Sequence, residues 1–176
     1  HISAAGPWLK YRGHLDKISD NMFLGAINAF NKQAGQALNV LNNQTQTIPA
    51  IARDYKAKVM RWIVVGDENY GEGSSREHAA MSPRYLGCAA VITRSFARIH
   101  ETNLKKQGVL PFTFVNPADY EKVLEGDKVS IEGLVGLAPG KEVDCVFKHV
   151  SGSDDRIRLK HSMTVEQIAW FKAGSA

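Results

Sequence analysis

The chain has 176 residues, 44% of them apolar and 23% charged, with 22 Lys and Arg against 18 Asp and Glu for a net charge of +4. That length and balance fit one domain able to build a core and exclude disorder as the dominant state. No apolar run approaches the roughly 18 residues of a membrane span, and the basic residues are scattered, so neither a membrane nor a nucleic acid is an expected partner.

Cys88 and Cys145 lie far apart with no CxxC spacing, and the histidines at positions 1, 14, 78, 100, 149 and 161 are equally dispersed. Two cysteines are compatible with one disulfide or with a reduced compartment. Neither has a second ligand nearby, so no metal site is expected in the chain. The start at His1, without Met, predicts a piece of a longer protein.

Residues 1–48 are rich in Asn, Gln, Gly and Ala with weak periodicity, and predict an arm wrapped over a core. Within it, Asn42 to Thr47 reads as a loop. Pro49 suits a helix start, with Ile51, Tyr55 and Val59 recurring at four-residue spacing. Arg61 to Val65 has the pattern of a short buried strand, and Gly66 to Gly73 forms a glycine-rich loop. Ser74-Ser75-Arg76-Glu77 opens a helix that Gly87 ends.

Ala89 to Thr93 reads as a second strand. Ser95 is a plausible N-cap for a helix carrying Phe96, Ile99 and Leu104 inward and stopped by Gly108. Val109 to Phe114 reads as a third strand. This alternation predicts an α/β layer with parallel strands. Short strands at 128–131, 143–147 and 156–159, separated by turn residues, predict an antiparallel addition. Thr164-Val165-Glu166-Gln167 has the form of a capping box for a closing helix with Val165, Ile168 and Ala169 on one face.

The segment Gly66-Asp67-Glu68-Asn69-Tyr70-Gly71-Glu72-Gly73-Ser74-Ser75-Arg76-Glu77-His78 is the candidate for chemistry, beside a reading in which its glycines only serve turns. It joins a strand to a helix, where open α/β sheets place ligands and where free N–H groups attract anions. Ser74-x-x-Glu77 also fits a plain capping box, and Glu68 and Glu72 fit solvated loop acids. A P-loop needs Gly-Lys-Ser/Thr where Ser75-Arg76 stands, and a dinucleotide fingerprint needs a glycine near Arg76. Arg76 suits a carboxylate, which it grips with two parallel hydrogen bonds. A serine beside it, in a positive and water-excluded pocket, is able to act as a base toward carbon. His78 and His100 read as helix-face or core histidines, and Trp8, Trp62 and Trp170 as packing residues.

This loop through Ala79-Ala80, the segment Ser95-Phe96-Ala97-Arg98-Ile99-His100-Glu101-Thr102-Asn103-Leu104-Lys105-Lys106-Gln107-Gly108, and the start His1 to Leu15 together resemble the C-terminal swivel domain of mitochondrial-type aconitases. The resemblance runs along nearly the whole chain. Met81-Ser82, Cys88 and Asn42 to Thr47 depart from the family pattern. It implies an α/β fold of the swivelling β/β/α kind, with a parallel-strand core and an antiparallel addition. It makes residues 1–176 one domain, with 1–48 as the arm.

It further implies conversion of citrate to isocitrate through cis-aconitate in the mitochondrial matrix. Ser74 matches the base that takes a proton from carbon. Arg12, Ser75 and Arg76 match residues that bind the carboxylates of a small tricarboxylate. The family's [4Fe–4S] cluster is held by cysteines of other domains, which Cys88 and Cys145 do not match. The chain then forms one wall of an active site completed by the remaining domains of the parent enzyme, and alone is expected to be inactive. A homoaconitase-type hydratase and a stand-alone anion-binding module are the alternatives.

Overall fold

The computed structural model describes residues 15–71 and 78–174. Its centre is a six-stranded mixed sheet. Three strands run parallel: β3 (Trp62–Gly66), β4 (Cys88–Thr93) and β5 (Leu110–Phe114). Between them lie α3 (His78–Tyr85) and α4 (Arg98–Lys106). The sheet continues antiparallel through β8 (Asp154–Lys160), β7 (Val143–Lys148) and β6 (Lys128–Glu132), in the order β3-β4-β5-β8-β7-β6. A closing helix, α5 (Val165–Ala173), follows. The α/β class, parallel core and antiparallel addition agree with the sequence reading.

Alternation along the strands sorts their side chains onto two faces. Ala90 and Ile92 of β4 and Leu110, Phe112 and Phe114 of β5 face a core shared with Cys145, Phe147, Ile157 and Leu159 of the antiparallel strands. On the opposite face Val91 packs with Ala80 of α3 and Leu104 of α4. The parallel and antiparallel halves therefore share one core.

The described part of the N-terminal segment holds a short helix α1 (Leu15–Ile18) and a two-stranded hairpin, β1 (Gln36–Asn39) and β2 (Gln44–Thr47). Met22 and Phe23 are buried against Ala52, Ala79 and Leu86. Asn39, fully buried, donates to Gln46 and to Asp54 of helix α2 (Ile48–Ala57), at 2.9 Å each.

Several local readings change. Asn42 to Thr47 is not all loop: the turn covers residues 40–43, where Asn43 has φ 61°, and Gln44–Thr47 is a strand. Polar residues on both faces of β2 hid the alternation. Val59 is not on the buried face of α2; that helix stops at Lys58, and Val59 is 91% exposed with φ 56°. Trp62 to Val65 is half-buried rather than buried, because β3 is the edge of the sheet. Ser95 does not cap α4. The N-cap is Ala97, and Ile99 is 59% exposed. On α5, Ile168 and Phe171 face the core, while Val165 and Ala169 are exposed. Its capping box is present, with Gln167 N–H donating to Thr164 Oγ1 at 3.2 Å and Thr164 N–H to Gln167 Oε1 at 3.0 Å.

Candidate functional site

Arg12, Ser74, Ser75 and Arg76 all lie outside the described residues, as does the helix opening at Ser74 to Glu77. What the structure describes is the frame on either side: the loop Gly66 to Gly71 that leads toward the serines, and α3, which follows them.

That loop is bolted to the segment entering α4. Tyr70 N–H donates to the Ser95 carbonyl at 3.0 Å, and Ala97 N–H donates to the Tyr70 carbonyl at 2.8 Å. Asn69 N–H donates to Ser95 Oγ at 2.8 Å. The Ser95 side chain, freed from capping, thus holds the neighbouring loop. The Tyr70 ring meets Phe96 edge-on at 6.0 Å between centroids and His100 at 5.3 Å. At the other end, Arg94 pairs with Asp67 at 3.1 Å and Glu121 at 3.2 Å, and lies 4.4 Å over the Tyr120 ring.

Both ends of the loop press on buried side chains. A Cβ on Gly66 would lie 2.5 Å from Tyr70 Cδ2 and 3.1 Å from Thr93 Cγ2. One on Gly71 would lie 2.3 Å from His100 Cβ and 2.5 Å from its Cγ, and Gly71 has φ 97°. Glycine is required at 71 on both counts.

Thr93 and His100 share a second property. Thr93 Oγ1 and both ring nitrogens of His100 are buried and have no hydrogen-bond partner among the described residues. His100 is 1% exposed, and burial pushes its imidazole down to about 4, so the ring is neutral. Each such orphan costs about 1–3 kcal/mol, and native structures contain few of them. His100 is a core histidine, as its sequence context suggests, but nothing in the sequence reveals that its nitrogens go unpaired. Burial also raises the Tyr70 hydroxyl well above its ordinary value.

A groove of about 980 Å³ runs along β3 to this loop, lined by Phe23, Ile51, Val64, Asp67 and Tyr120 among others. No helix among the described residues is long and apolar enough to cross a membrane.

An iron–sulfur cluster does not fit the cysteines. Cys88 and Cys145 are free and buried, on strands separated in the sheet by β5 and β8. Burial drives each thiol up to about 12, which opposes the thiolate a cluster needs. Among the described residues no group of three or more His, Cys, Asp or Glu is placed to hold a metal.

Comparison with known proteins takes the site further. A probable mitochondrial aconitate hydratase of Caenorhabditis elegans is 60% identical over 176 residues, covering all of this chain and 23% of that protein. One from Dictyostelium discoideum is 59% identical over 177 residues, again covering the whole chain and 23% of the relative. The chain thus spans about a quarter of the length of these relatives. A 3-isopropylmalate dehydratase structure from Methanocaldococcus jannaschii is 22% identical with a TM-score of 0.48, covering 73% of this chain and 69% of the other. The model of the aconitase C-terminal domain matches residues 1–117, which contain the serine loop, its tethers and the entire parallel half of the sheet. The chain belongs to the aconitase C-terminal domain family.

Proposed function

We propose that this chain is one wall of the active site of a mitochondrial aconitate hydratase, which interconverts citrate and isocitrate through cis-aconitate in the matrix. Identity of 54–60% along the whole chain to mitochondrial aconitate hydratases carries this reading. In it, residues 1–176 form one swivel domain and residues 1–48 an arm over the core. The burial of Met22 and Phe23 against α2 and α3 residues supports the arm. The remaining domains of the parent enzyme supply the facing wall and the cysteines for a [4Fe–4S] cluster. The open groove along edge strand β3 supports such a partner surface.

Ser74 is the base. It takes a proton from carbon, and the C–H electron pair becomes the new double bond. The hydroxyl on the neighbouring carbon leaves as water, with a proton supplied from outside this chain. Rehydration reverses these steps. A serine oxygen is basic enough only where positive charge and directed donors hold its anionic form. Arg76 grips one substrate carboxylate with two parallel hydrogen bonds, and Arg12 and Ser75 hold others. A trianionic substrate needs several such groups.

The test is Ser74→Ala in the full-length enzyme. We expect kcat to fall roughly 10²–10⁴-fold, the usual contribution of a proton-transfer group, with KM little changed. If Ser74 only caps α3, the variant loses about 0.5–2 kcal/mol of stability and keeps a near-normal rate constant, which would overturn the assignment.

A further inference from the structure

We infer that His100 is a positioning residue for the serine-bearing loop: its imidazole is held unpartnered beneath Gly71, and the loop main chain takes up a ring nitrogen when substrate is bound. The inference rests on the reading of Ser74 as the base.

The geometry is direct. Gly71 lies against His100 so closely that no side chain fits between them. The adjoining Tyr70 ring packs on the same imidazole at 5.3 Å. The Tyr70 main chain is bridged to Ser95 and Ala97, just before the helix that carries His100. Any shift of His100 is passed to residues 70 and 71, the end of the described loop that precedes Ser74 in the sequence.

The chemistry gives the contact a purpose. A buried slot bounded by Tyr70 and Gly71 would be filled more cheaply by an apolar side chain. The neutral ring instead offers one N–H donor and one bare acceptor, both unpaired. It therefore accepts a main-chain N–H or donates to a main-chain carbonyl without changing charge. Thr93 Oγ1 repeats the pattern beneath Gly66 at the far end of the loop. Two orphaned polar groups under the two ends of one loop mark a segment whose hydrogen bonding is completed in another state. Strain and unmet bonds held at a working site fit that role.

The experiment uses the full-length enzyme. His100→Leu removes both nitrogens at similar volume. We expect kcat to fall at least tenfold and KM to change by less than kcat does, because the bond formed on substrate binding serves chiefly to align the loop that leads to Ser74. The melting temperature should be unchanged or higher, since two unpaired polar atoms are gone. A packing role alone predicts equal stability and wild-type kcat, and that result overturns the inference. If His100→Leu does not fold, His100→Phe is judged by the same criteria.

Ser74→Ala is measured beside them. Lost turnover in Ser74→Ala with normal turnover in His100→Leu sinks the positioning role and leaves the base. If Ser74→Ala stays active, the base assignment has failed, and hydrogen exchange at residues 69–71 decides the role of His100 instead. Exchange slowed by citrate in the wild type but not in His100→Leu supports the inference; equal slowing in both overturns it.

Discussion

In the antiparallel half of the sheet, His149 places both ring nitrogens 2.7 Å from carboxylates, Nδ1 against Asp127 and Nε2 against Asp155. Asp127 in turn accepts the Leu124 N–H at 2.8 Å. In the parallel half, His100 is buried as well and its ring nitrogens bond to nothing among the described residues. The two halves share one core, so the contrast does not come from separate folding units. It follows position. The satisfied histidine ties the β7–β8 turn to the start of β6. The orphaned one lies under a loop at the C-terminal ends of parallel strands, where open α/β sheets place ligands. A fully paired histidine braces the antiparallel half, and a standing cost is carried beside the site.

The largest expected effect tests whether the halves are one unit. Phe112 of β5 and Phe147 of β7 are fully buried in the same cluster. Either one changed to Ala should cost about 3–5 kcal/mol. Hydrogen exchange should then quicken in β3–β5 and β6–β8 alike. Faster exchange confined to the mutated half would break the comparison by making the halves independent.

Gly71→Ala sharpens it. The left-handed backbone costs roughly 1–2 kcal/mol and overpacking against His100 about 1–3 more, for a loss of roughly 2–5 kcal/mol. Gly133 has φ 80° with nothing within 4 Å of an added Cβ, so Gly133→Ala should pay only the backbone part. Urea denaturation of both variants reads the difference, and equal losses would show that the contact with His100 contributes nothing.

The two histidines also titrate in opposite senses. His100 has a folded pKa of about 4, below its ordinary value near 6.5. Its unfolded form binds a proton that the folded form refuses. Stability is full above about pH 6.5 and falls by about 3 kcal/mol as pH drops toward 4. His149 is raised by its hydrogen bonds to Asp127 and Asp155. Its contribution is full below about pH 6.5 and is lost as pH rises through the folded value. Melting curves across pH should show a smaller acid-side loss in His100→Leu and a smaller alkaline-side loss in His149→Gln. An unchanged acid limb in His100→Leu would refute the first assignment.

What the sequence made legible follows from local signals. Strand–turn–helix alternation between residues 61 and 114 is written in apolar runs punctuated by Gly66, Gly87 and Gly108, and the three later strands in their turn residues. Local rules went wrong where a tertiary contact outbid them. Ser95 is a good capping residue by type, yet its hydroxyl serves Asn69 across 26 positions of sequence. Val59 keeps the helical spacing, but the helix has already ended. The serine loop stands out by composition and by family likeness. The orphaned state of His100 depends on what surrounds the ring in space, and no spacing in the chain encodes it.

The smallest expected effect concerns the helix that joins the halves. Helix α5 sends Ile168 and Phe171 into the shared core and also packs against α4. Just before it, Ser162 donates to Glu101 at 3.0 Å and accepts the buried Lys105 ammonium at 2.8 Å, both on α4. Thr164→Ala removes one side of the capping box and should cost about 1 kcal/mol, within the usual 0.5–2. The loss should appear as faster amide exchange in the first turn of α5, with the rate constant of the full-length enzyme unchanged. Because α5 braces α4, and α4 carries His100, the same variant asks how far the brace reaches. If kcat falls along with the cap, the antiparallel half helps to hold the loop in place, and the division between a stabilising half and a working half must be redrawn through α5.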